Sequence, residues 1–408
     1  MKQCVSLFSC AGFGDLGLQK ADIHTISACE IIKERAELLR QNFPLTHIFN
    51  GDIWDLQNDI IEHAKQKLNG NELYMIIVSA PCQGASSNGI GRIQNQIKKG
   101  KREKDDPRNR LIIPAINIIK TLQPKFILIE NVSGMRHTQI INESDEYETI
   151  FSILHRQLEN YVIRSSILNT ADFGVPQNRK RLITIGTKSI YTDERREKDF
   201  FHEKSFLHPK QTHGIEEKPH ISMQRCFSHL STLDAKYNLY DAKDPLHRIP
   251  KWNDMQYFCM RHTPEGQTAF ENTMCTNCNK HTKDLKQVFC KNCGNILPKP
   301  VLQKHGTFRV INAFKTAYRR MSMNKPANAL TTNSGVISSD VKGHPIENRV
   351  LSLREIMIIA SIGYYDGNEQ LFEYNFYNSN DKLIREVLGE CIPPLLTFKI
   401  AKHLDLIS

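Results

Sequence analysis

Across the first 190 or so residues, five short apolar runs alternate with polar or amphipathic stretches of helix length: Val5 to Phe8, Thr25 to Cys29, Tyr74 to Ala80, Phe126 to Ile129 and Leu182 to Ile185. Strands spaced by helices predict a parallel sheet covered by helices. In such open α/β sheets, ligand and catalytic groups sit at the carboxyl ends of the strands. The residues just after these runs are therefore the ones to read for chemistry. From about Ser189 to Tyr318 the pattern gives way to irregular sequence rich in His, Lys and Pro, which predicts a second or inserted domain. Apolar periodicity returns after Arg319, and Ile392 to Leu404, following Pro393-Pro394, has helical spacing for a last helix that packs back on the first domain. The chain has 408 residues, 40% apolar and 24% charged. That suits two or three domains of ~100–200 residues and excludes a disordered, collagen-like or small disulfide-stapled chain. No apolar stretch approaches the ~20 residues of a membrane span. The N-terminus has no h-region, and the expected location is cytoplasmic.

After the first run comes Phe8-Ser9-Cys10-Ala11-Gly12-Phe13-Gly14-Asp15-Leu16-Gly17, with Gly12-x-Gly14-x-x-Gly17 at the opening of an expected helix. Taken literally this is a dinucleotide-type turn, with Glu30 placed about 20 residues on to bind ribose hydroxyls. The same turn and acid serve NAD or S-adenosylmethionine. Asp52 stands where an acid can reach an adenine amino group, and also where a helix N-cap is expected.

The third run ends in Ser79-Ala80-Pro81-Cys82-Gln83-Gly84. A cysteine at a strand end, oriented by proline, has the exposure a nucleophile needs, and Arg179 and Arg181 can favour its thiolate. The loop runs on through Lys98-Lys99-Gly100-Lys101-Arg102 to Arg110, as a basic lid over a polyanion would. The fourth run ends in Glu130-Asn131-Val132, where the carboxylate can either cap a helix or donate a proton. Gln177, Arg179 and Arg181 alternate into the last run and are expected on one face of it.

Eleven cysteines cannot all pair, and Cys275-x-x-Cys278 with Cys290-x-x-Cys293 has the spacing of a zinc ribbon, four thiolates closing one structural site. Cys4, Cys29, Cys226, Cys259 and Cys391 read as core filler. Between Asn272 and Lys325 stand eleven basic residues and one acid, Asp284, so this segment carries the whole net charge of +10. Such a stripe is the footprint of a polyanion partner.

In order along nearly the whole chain, the Phe8 to Gly17 loop, Pro81-Cys82-Gln83, Glu130-Asn131-Val132, Gln177-x-Arg179-x-Arg181, Arg320 with Pro326-Ala327-x-x-Leu330-Thr331-Thr332, and Gly389-x-x-Ile392-Pro393-Pro394 resemble the DNA cytosine C5 methyltransferases, chiefly those of bacterial restriction-modification systems. The resemblance implies an α/β fold: a Rossmann-like S-adenosylmethionine-dependent methyltransferase domain with a smaller, irregular target-recognition domain. It implies that Cys82 attacks C6 of a flipped-out cytosine, Glu130 bonds or protonates N3, and Arg179 and Arg181 stabilise O2 and the thiolate. Phe8, Ala11, Gly12, Gly14, Glu30, Asp52, Ile53, Pro81, Leu111 and Glu390 are the implied cofactor contacts. Cys10 and Phe13 stand where the family usually has glycine, and Glu390 where it has asparagine; a carboxylate there suits the cofactor's amino group. The expected catalytic domain is 1–188 completed by 389–408, with a target-recognition domain over 189–345 that contains the ribbon at 275–293, and a hinge over 346–388. Double-stranded DNA is the implied partner, for a monomer with a separately encoded endonuclease. Methylation of RNA cytosine, or a DNA-binding protein that kept the fold without catalysis, are the alternative readings.

Overall fold

The computed structural model describes residues 1–81, 107–142, 144, 146–192, 201, 205–314, 316–363 and 372–407, and the backbone of 365–366 and 369–370. Cys82 and the basic stretch that follows it lie outside the described residues. The chain divides into two compact units. One is Met1–Phe173, Arg179–Lys218 and Cys391–Ser408; the other is Gly174–Asn178 and Pro219–Glu390.

In the first unit, seven strands make one sheet: β1 (Lys2–Leu7), β2 (Ile23–Glu30), β3 (His47–Asn50), β4 (Met75–Val78), β5 (Phe126–Asn131), β6 (Tyr161–Asn169) and β7 (Lys180–Lys188). Their order is β3-β2-β1-β4-β5-β7-β6. The first five are parallel, whereas β7 runs antiparallel to both β5 and β6. The last apolar run, expected in a parallel sheet, thus turns back: a short connection from β6 suffices for an antiparallel pair, where a parallel one needs a crossover of a dozen or more residues.

Side-chain alternation explains why the sheet is covered on both faces. Val5, Leu7, Ile76, Val78, Ile127 and Ile129 join one buried cluster, with Ile60 and Ala64 of α3 (Ile53–Leu68), which follows α2 (Lys33–Asn42), and Ile116 and Ile119 of α4 (Ile112–Leu122). Cys4, Met75, Ile77, Phe126 and Leu128 join the other, with Leu18 of α1 (Phe13–Lys20) and Leu396, Ile400 and Leu404 of the C-terminal helix Pro394–Leu406. Strands buried on both faces lose the in–out polarity pattern and read as continuous apolar runs. The C-terminal helix begins with proline at its first turn, as its sequence predicts. It approaches α1 at Gly17, where an added Cβ would lie 2.0 Å from Thr397 Oγ1 and 2.2 Å from the Pro394 carbonyl oxygen. Thr397 Oγ1 also donates to the Gly14 carbonyl at 3.0 Å.

The second unit has few long elements. Its core gathers Leu233, Ile249, Trp252, Tyr257, Met260, Tyr318 and Val350. Arg320, nearly inaccessible, holds the unit together by donating to the carbonyl oxygens of Thr263 (2.7 Å), Met260 (2.8 Å) and His344 (2.9 Å) and to Asn348 Oδ1 (2.7 Å). A buried guanidinium needs such a full set of acceptors to offset its lost hydration.

Two expected boundaries are corrected. Residues 189–218 do not open the second domain: Leu207 is buried in the first unit's core, and His208 Nε2 donates to the Ile183 carbonyl of β7 at 2.9 Å. Residues 346–388 group with the second unit rather than standing apart as a hinge, and part of its core comes from them. There Arg349 pairs at both guanidinium nitrogens with Glu355, at 2.6 and 2.8 Å, and Ser352 and Glu355 form a capping box for the helix Leu353–Ile359. The Arg349 charge and its hydrogen bonds hold the buried Glu355 carboxyl down at about 2 despite burial, which pushes the other way.

Candidate active site

The strand register brings the informative residues into one row. Leu7 lies beside Cys29 and Val78, Glu30 beside Asn50, and Val78 beside Ile129. The carboxyl ends of the five parallel strands therefore form a common edge. Chain order reverses between β1 and β4, and a crevice at such a switch point is where open α/β sheets bind ligands.

On the β1–β2 side, the turn after β1 enters α1 through Gly12 at φ 79°. Phe8 and Cys10 also take left-handed conformations, at φ 59° and 51°. Side chains rarely adopt these, at a cost of roughly 1–3 kcal/mol each. The Cys10 backbone is held there because its N–H donates to Glu30 Oε2 at 2.9 Å, while Ile32 N–H donates to Glu30 Oε1 at the same distance. Glu30 is buried at the end of β2, where its carboxylate accepts from both of these backbone N–H groups. Asp52 caps α3, accepting from Trp54 N–H at 3.0 Å through Oδ1, and Ile53 is buried as the first residue of that helix. Both readings of Asp52, N-cap and ligand contact, remain compatible, because Oδ2 is not needed for the cap. Ala11 is fully buried, while Phe8 and Leu111 are half-buried against the core. Gly14 serves packing: a Cβ there would sit 3.0 Å from Ile392 and 3.1 Å from Ile77. Burial lifts the Asp15 carboxyl to about 6, with hydroxyl bonds from Thr25 and Ser6 acting against the shift.

On the β4–β5 side, Glu130 Oε1 pairs with Arg181 Nε at 2.8 Å, both side chains largely buried. The strands bring this about directly, since Glu130 lies opposite Ile183 and Arg181 is two residues earlier on the same face of β7. Arg179 is 2% exposed just ahead of β7. Of the two arginines expected beside Glu130, Arg181 makes the ion pair and Arg179 is buried immediately ahead of β7, while Gln177 belongs to a short pairing with Ala327 in the second unit.

Two residues of this site escaped sequence reasoning. Asn131 donates from Nδ2 to the Ala80 carbonyl at 2.8 Å and accepts Val132 N–H at 2.8 Å, tying the exit of β4 to the end of β5. That anchors the backbone immediately before Pro81-Cys82. Cys391, read as filler, is buried in the electrostatic reach of Arg179, Arg181 and Glu130; burial pushes its thiol up to about 11, so it stays protonated there. A lone cysteine near a motif glycine carries no sequence signal for this.

Glu390 belongs to the second unit. It is the exposed last residue of the helix Asp381–Glu390 in the second unit, next to a glycine packed so closely that a Cβ at Gly389 would lie 2.5 Å from the Thr331 carbonyl carbon. Gly389 and the Leu330-Thr331-Thr332 stretch therefore touch within that unit, which accounts for the glycine.

The second unit also holds the four-cysteine cluster. The Sγ atoms of Cys275, Cys278, Cys290 and Cys293 all lie within 4.8 Å of one another, with Cys275–Cys293 at 3.5 Å and Cys278–Cys290 at 3.6 Å. A tetrahedron with zinc–sulfur bonds of ~2.3 Å has edges of about 3.8 Å. These four thiols can hold a zinc ion. Backbone N–H groups of each knuckle point at sulfur, and the one from Lys280 leads in bringing the Cys278 thiol down to about 6.

A mixed sheet with a glycine turn and buried carboxylate at one half of its carboxyl edge, and a buried Glu–Arg pair at the other, defines an α/β enzyme that places a nucleotide-like cofactor beside a polar reaction centre. A family model for C-5 cytosine-specific DNA methylases matches residues 2–405, and the chain belongs to that family. It is 28% identical to the Type II methyltransferase M1.HgaI of Avibacterium volantium over 98% of this chain and 97% of that one. It is 26% identical to M1.HphI of Haemophilus parahaemolyticus over 98% and 85% respectively. Among solved structures, one described as a DNA modification methyltransferase encoded within an E. coli prophage aligns with TM-score 0.60 at 19% identity, over 100% of this chain and 99% of that one. DNMT2 of Spodoptera frugiperda aligns with TM-score 0.56 at 15% identity, again over 100% and 99%. The protein is a DNA cytosine-C5 methyltransferase, and S-adenosylmethionine is its cofactor. The donor set at the ends of β1 to β3 fits that group: Glu30 for ribose hydroxyls, Asp52 for an amino group, and a glycine turn that brings backbone close. Among the described residues, no helix is long and apolar enough to cross a membrane.

Proposed function

We propose that the chain methylates one cytosine within a short duplex sequence, as a monomer, and that the modification protects DNA from a separately encoded restriction endonuclease. The observation that supports the catalytic part best is the Glu130–Arg181 pair at the β5 end, in the same row as the exit of β4. Bound S-adenosylmethionine supplies an electrophilic sulfonium methyl group.

Cytosine C5 is too poor a nucleophile to take it unaided. Cys82 adds as thiolate to C6, forming a C–S bond and moving the C5–C6 π electrons onto C5 and, by conjugation, toward N3. Glu130 hydrogen-bonds or protonates N3, where charge develops. Arg181 orients the Glu130 carboxyl, and Arg179 contributes positive potential to O2 and the thiolate. Once C5 carries the methyl group it loses its proton to a base, the C5–C6 double bond re-forms, and Cys82 leaves as thiolate. A stacked base cannot reach these groups, so the cytosine is flipped out of the duplex. Phe8, Ala11, Gly12, Glu30, Asp52, Ile53, Pro81 and Leu111 hold the cofactor. Residues 219–345 recognise the target sequence. The Type II names of the relatives support the restriction-modification setting.

Bisulfite sequencing of plasmid DNA from cells that express the chain tests this reading. Protected cytosines confined to one short sequence context are expected; protection at none, or methylation found only in RNA, would overturn it.

A further inference from the structure

The cysteine cluster lies where the second unit has almost no core of its own. Cys275, Cys290 and Leu297 are its buried members, with Cys278 and Cys293 packed against them. So small an apolar cluster does not hold a segment in one conformation without a cross-link or a metal. Two polar anchors do the rest. Lys299, 1% exposed, donates from Nζ to the carbonyl oxygens of Asp284 (3.1 Å), Leu285 (3.0 Å) and Gln287 (3.3 Å), which folds the loop between the two knuckles. Asn272 Nδ2 donates to the carbonyls of Cys259 (3.0 Å) and Pro298 (2.6 Å), which roots the ribbon on the unit's core.

The outer side of this fold is basic and concave. Lys280, Lys283 and Lys291, all exposed, line a cleft of about 360 Å³ beside the cluster, with His281 next to them. Asp284 also lines it, but one of its carboxylate oxygens accepts its own turn's Lys286 N–H at 2.8 Å. The hairpin β8 (Val301–Lys304) and β9 (Thr307–Val310) continues the surface with exposed Lys304 and Arg309. Phe289 of the ribbon meets Phe308 of the hairpin edge-on at 5.3 Å, with both rings partly exposed. Ribbon and hairpin therefore pack together through this ring contact.

We propose that Cys275, Cys278, Cys290 and Cys293 hold a zinc ion, and that the zinc-loaded ribbon is a backbone grip on duplex DNA, with a phosphate seated among Lys280, Lys283 and Lys291. This rests on the reading that the chain acts on DNA. Zinc with four thiolates carries a net charge of about −2, so neighbouring lysines also balance the centre. The cleft lysines and Lys286 exceed that charge, and the hairpin cations lie beyond it. A phosphate grip makes no demand on base sequence, so it shows with any duplex.

The test uses the full-length protein and a mixed-sequence duplex of about 30 base pairs, with affinity measured across a salt series. Wild-type protein is expected to carry stoichiometric zinc by mass spectrometry. Lys280→Ala/Lys283→Ala/Lys291→Ala is expected to keep that zinc, to bind DNA several-fold more weakly, and to flatten the log–log salt slope by about 0.9 for each phosphate it no longer neutralises. Cys278→Ser is expected to lose zinc and DNA affinity together; should it fail to fold, the lysine variant decides. Wild-type protein purified without zinc would overturn the metal centre. A lysine variant with zinc, affinity and salt slope all intact would overturn the grip and leave those lysines as counter-charges. Wild-type protein that binds no duplex at all would instead sink the reading that the chain acts on DNA.

Discussion

Exchanging Glu130 for glutamine is expected to slow methyl transfer by about a hundred- to ten-thousand-fold, the range spanned by loss of one positioned general acid. The substitution conserves shape. The amide oxygen can still accept from Arg181 Nε, now 2.8 Å from the carboxylate, so the β5–β7 contact survives and stability changes little. In the proposed mechanism, what is lost is the group that stabilises developing charge at N3 in the adduct, an interaction stronger in the transition state than in the bound substrate. The loss should therefore fall on the single-turnover rate, with DNA and cofactor dissociation constants close to wild type. A variant that keeps its rate would remove Glu130 from the chemistry; one that loses DNA binding in proportion would make its role one of substrate binding alone.

Gly17→Ala is expected to be the most damaging small substitution for the fold. Its Cβ would fall 2.0 Å from Thr397 Oγ1, 2.2 Å from the Pro394 carbonyl oxygen and 2.9 Å from Phe398 N, and two of these three atoms are backbone that cannot swing away. Relief requires the C-terminal helix to back off α1, which opens the cluster of Leu18, Leu396, Ile400 and Leu404. Overpacking of a tight core costs typically 1–3 kcal/mol and more where backbone must move, so a loss of about 3 kcal/mol or failure to accumulate folded protein is expected. Gly70→Ala is the control: its Cβ meets nothing within 4 Å, and only its φ of 83° resists the change, at a cost of about 1 kcal/mol. Urea unfolding of the two variants measures the contrast, and equal midpoints would refute the packing argument.

How much of this was legible in the sequence follows from where the information resides. The runs in β1, β2, β4, β5 and β7 stood out because both faces of the sheet are buried and most of their positions are apolar. β6 did not, since its buried Arg164, Ser165 and Ser166 are polar and satisfied locally, as where Ser165 Oγ meets Thr184 Oγ1 at 2.7 Å. β3 is only four residues long, with His47 and Asn50 at its ends. The antiparallel turn of β7 depends on which neighbour it meets, which an isolated run does not encode. In the site, Glu130 and Arg181 announced themselves as charges at strand ends, and the structure pairs them. Asn131 is tied to Ala80, and Cys391 is brought within electrostatic reach of the Glu–Arg group, only by folding. Charge counting erred in the same way: Lys299 and Arg320 belong to the basic stripe in sequence, yet both are buried and spend their donors on backbone carbonyls. The glycine fingerprint was legible as a turn, while the reason for Gly14 and Gly17, the return of a helix nearly 380 residues later, was not.

The central claim is that Cys82 adds covalently to a flipped cytosine on the way to C5 methylation. A duplex with 5-fluorocytosine at the methylated position tests it most directly, because fluorine at C5 cannot leave as a proton does and the adduct is trapped. With S-adenosylmethionine present, a denaturation-resistant protein–DNA complex carrying the transferred methyl group is expected, with the linked peptide containing Cys82, and no complex from Cys82→Ala. A trapped complex linked through another cysteine, or labelled 5-methylcytosine formed at the wild-type rate by Cys82→Ala, would contradict it.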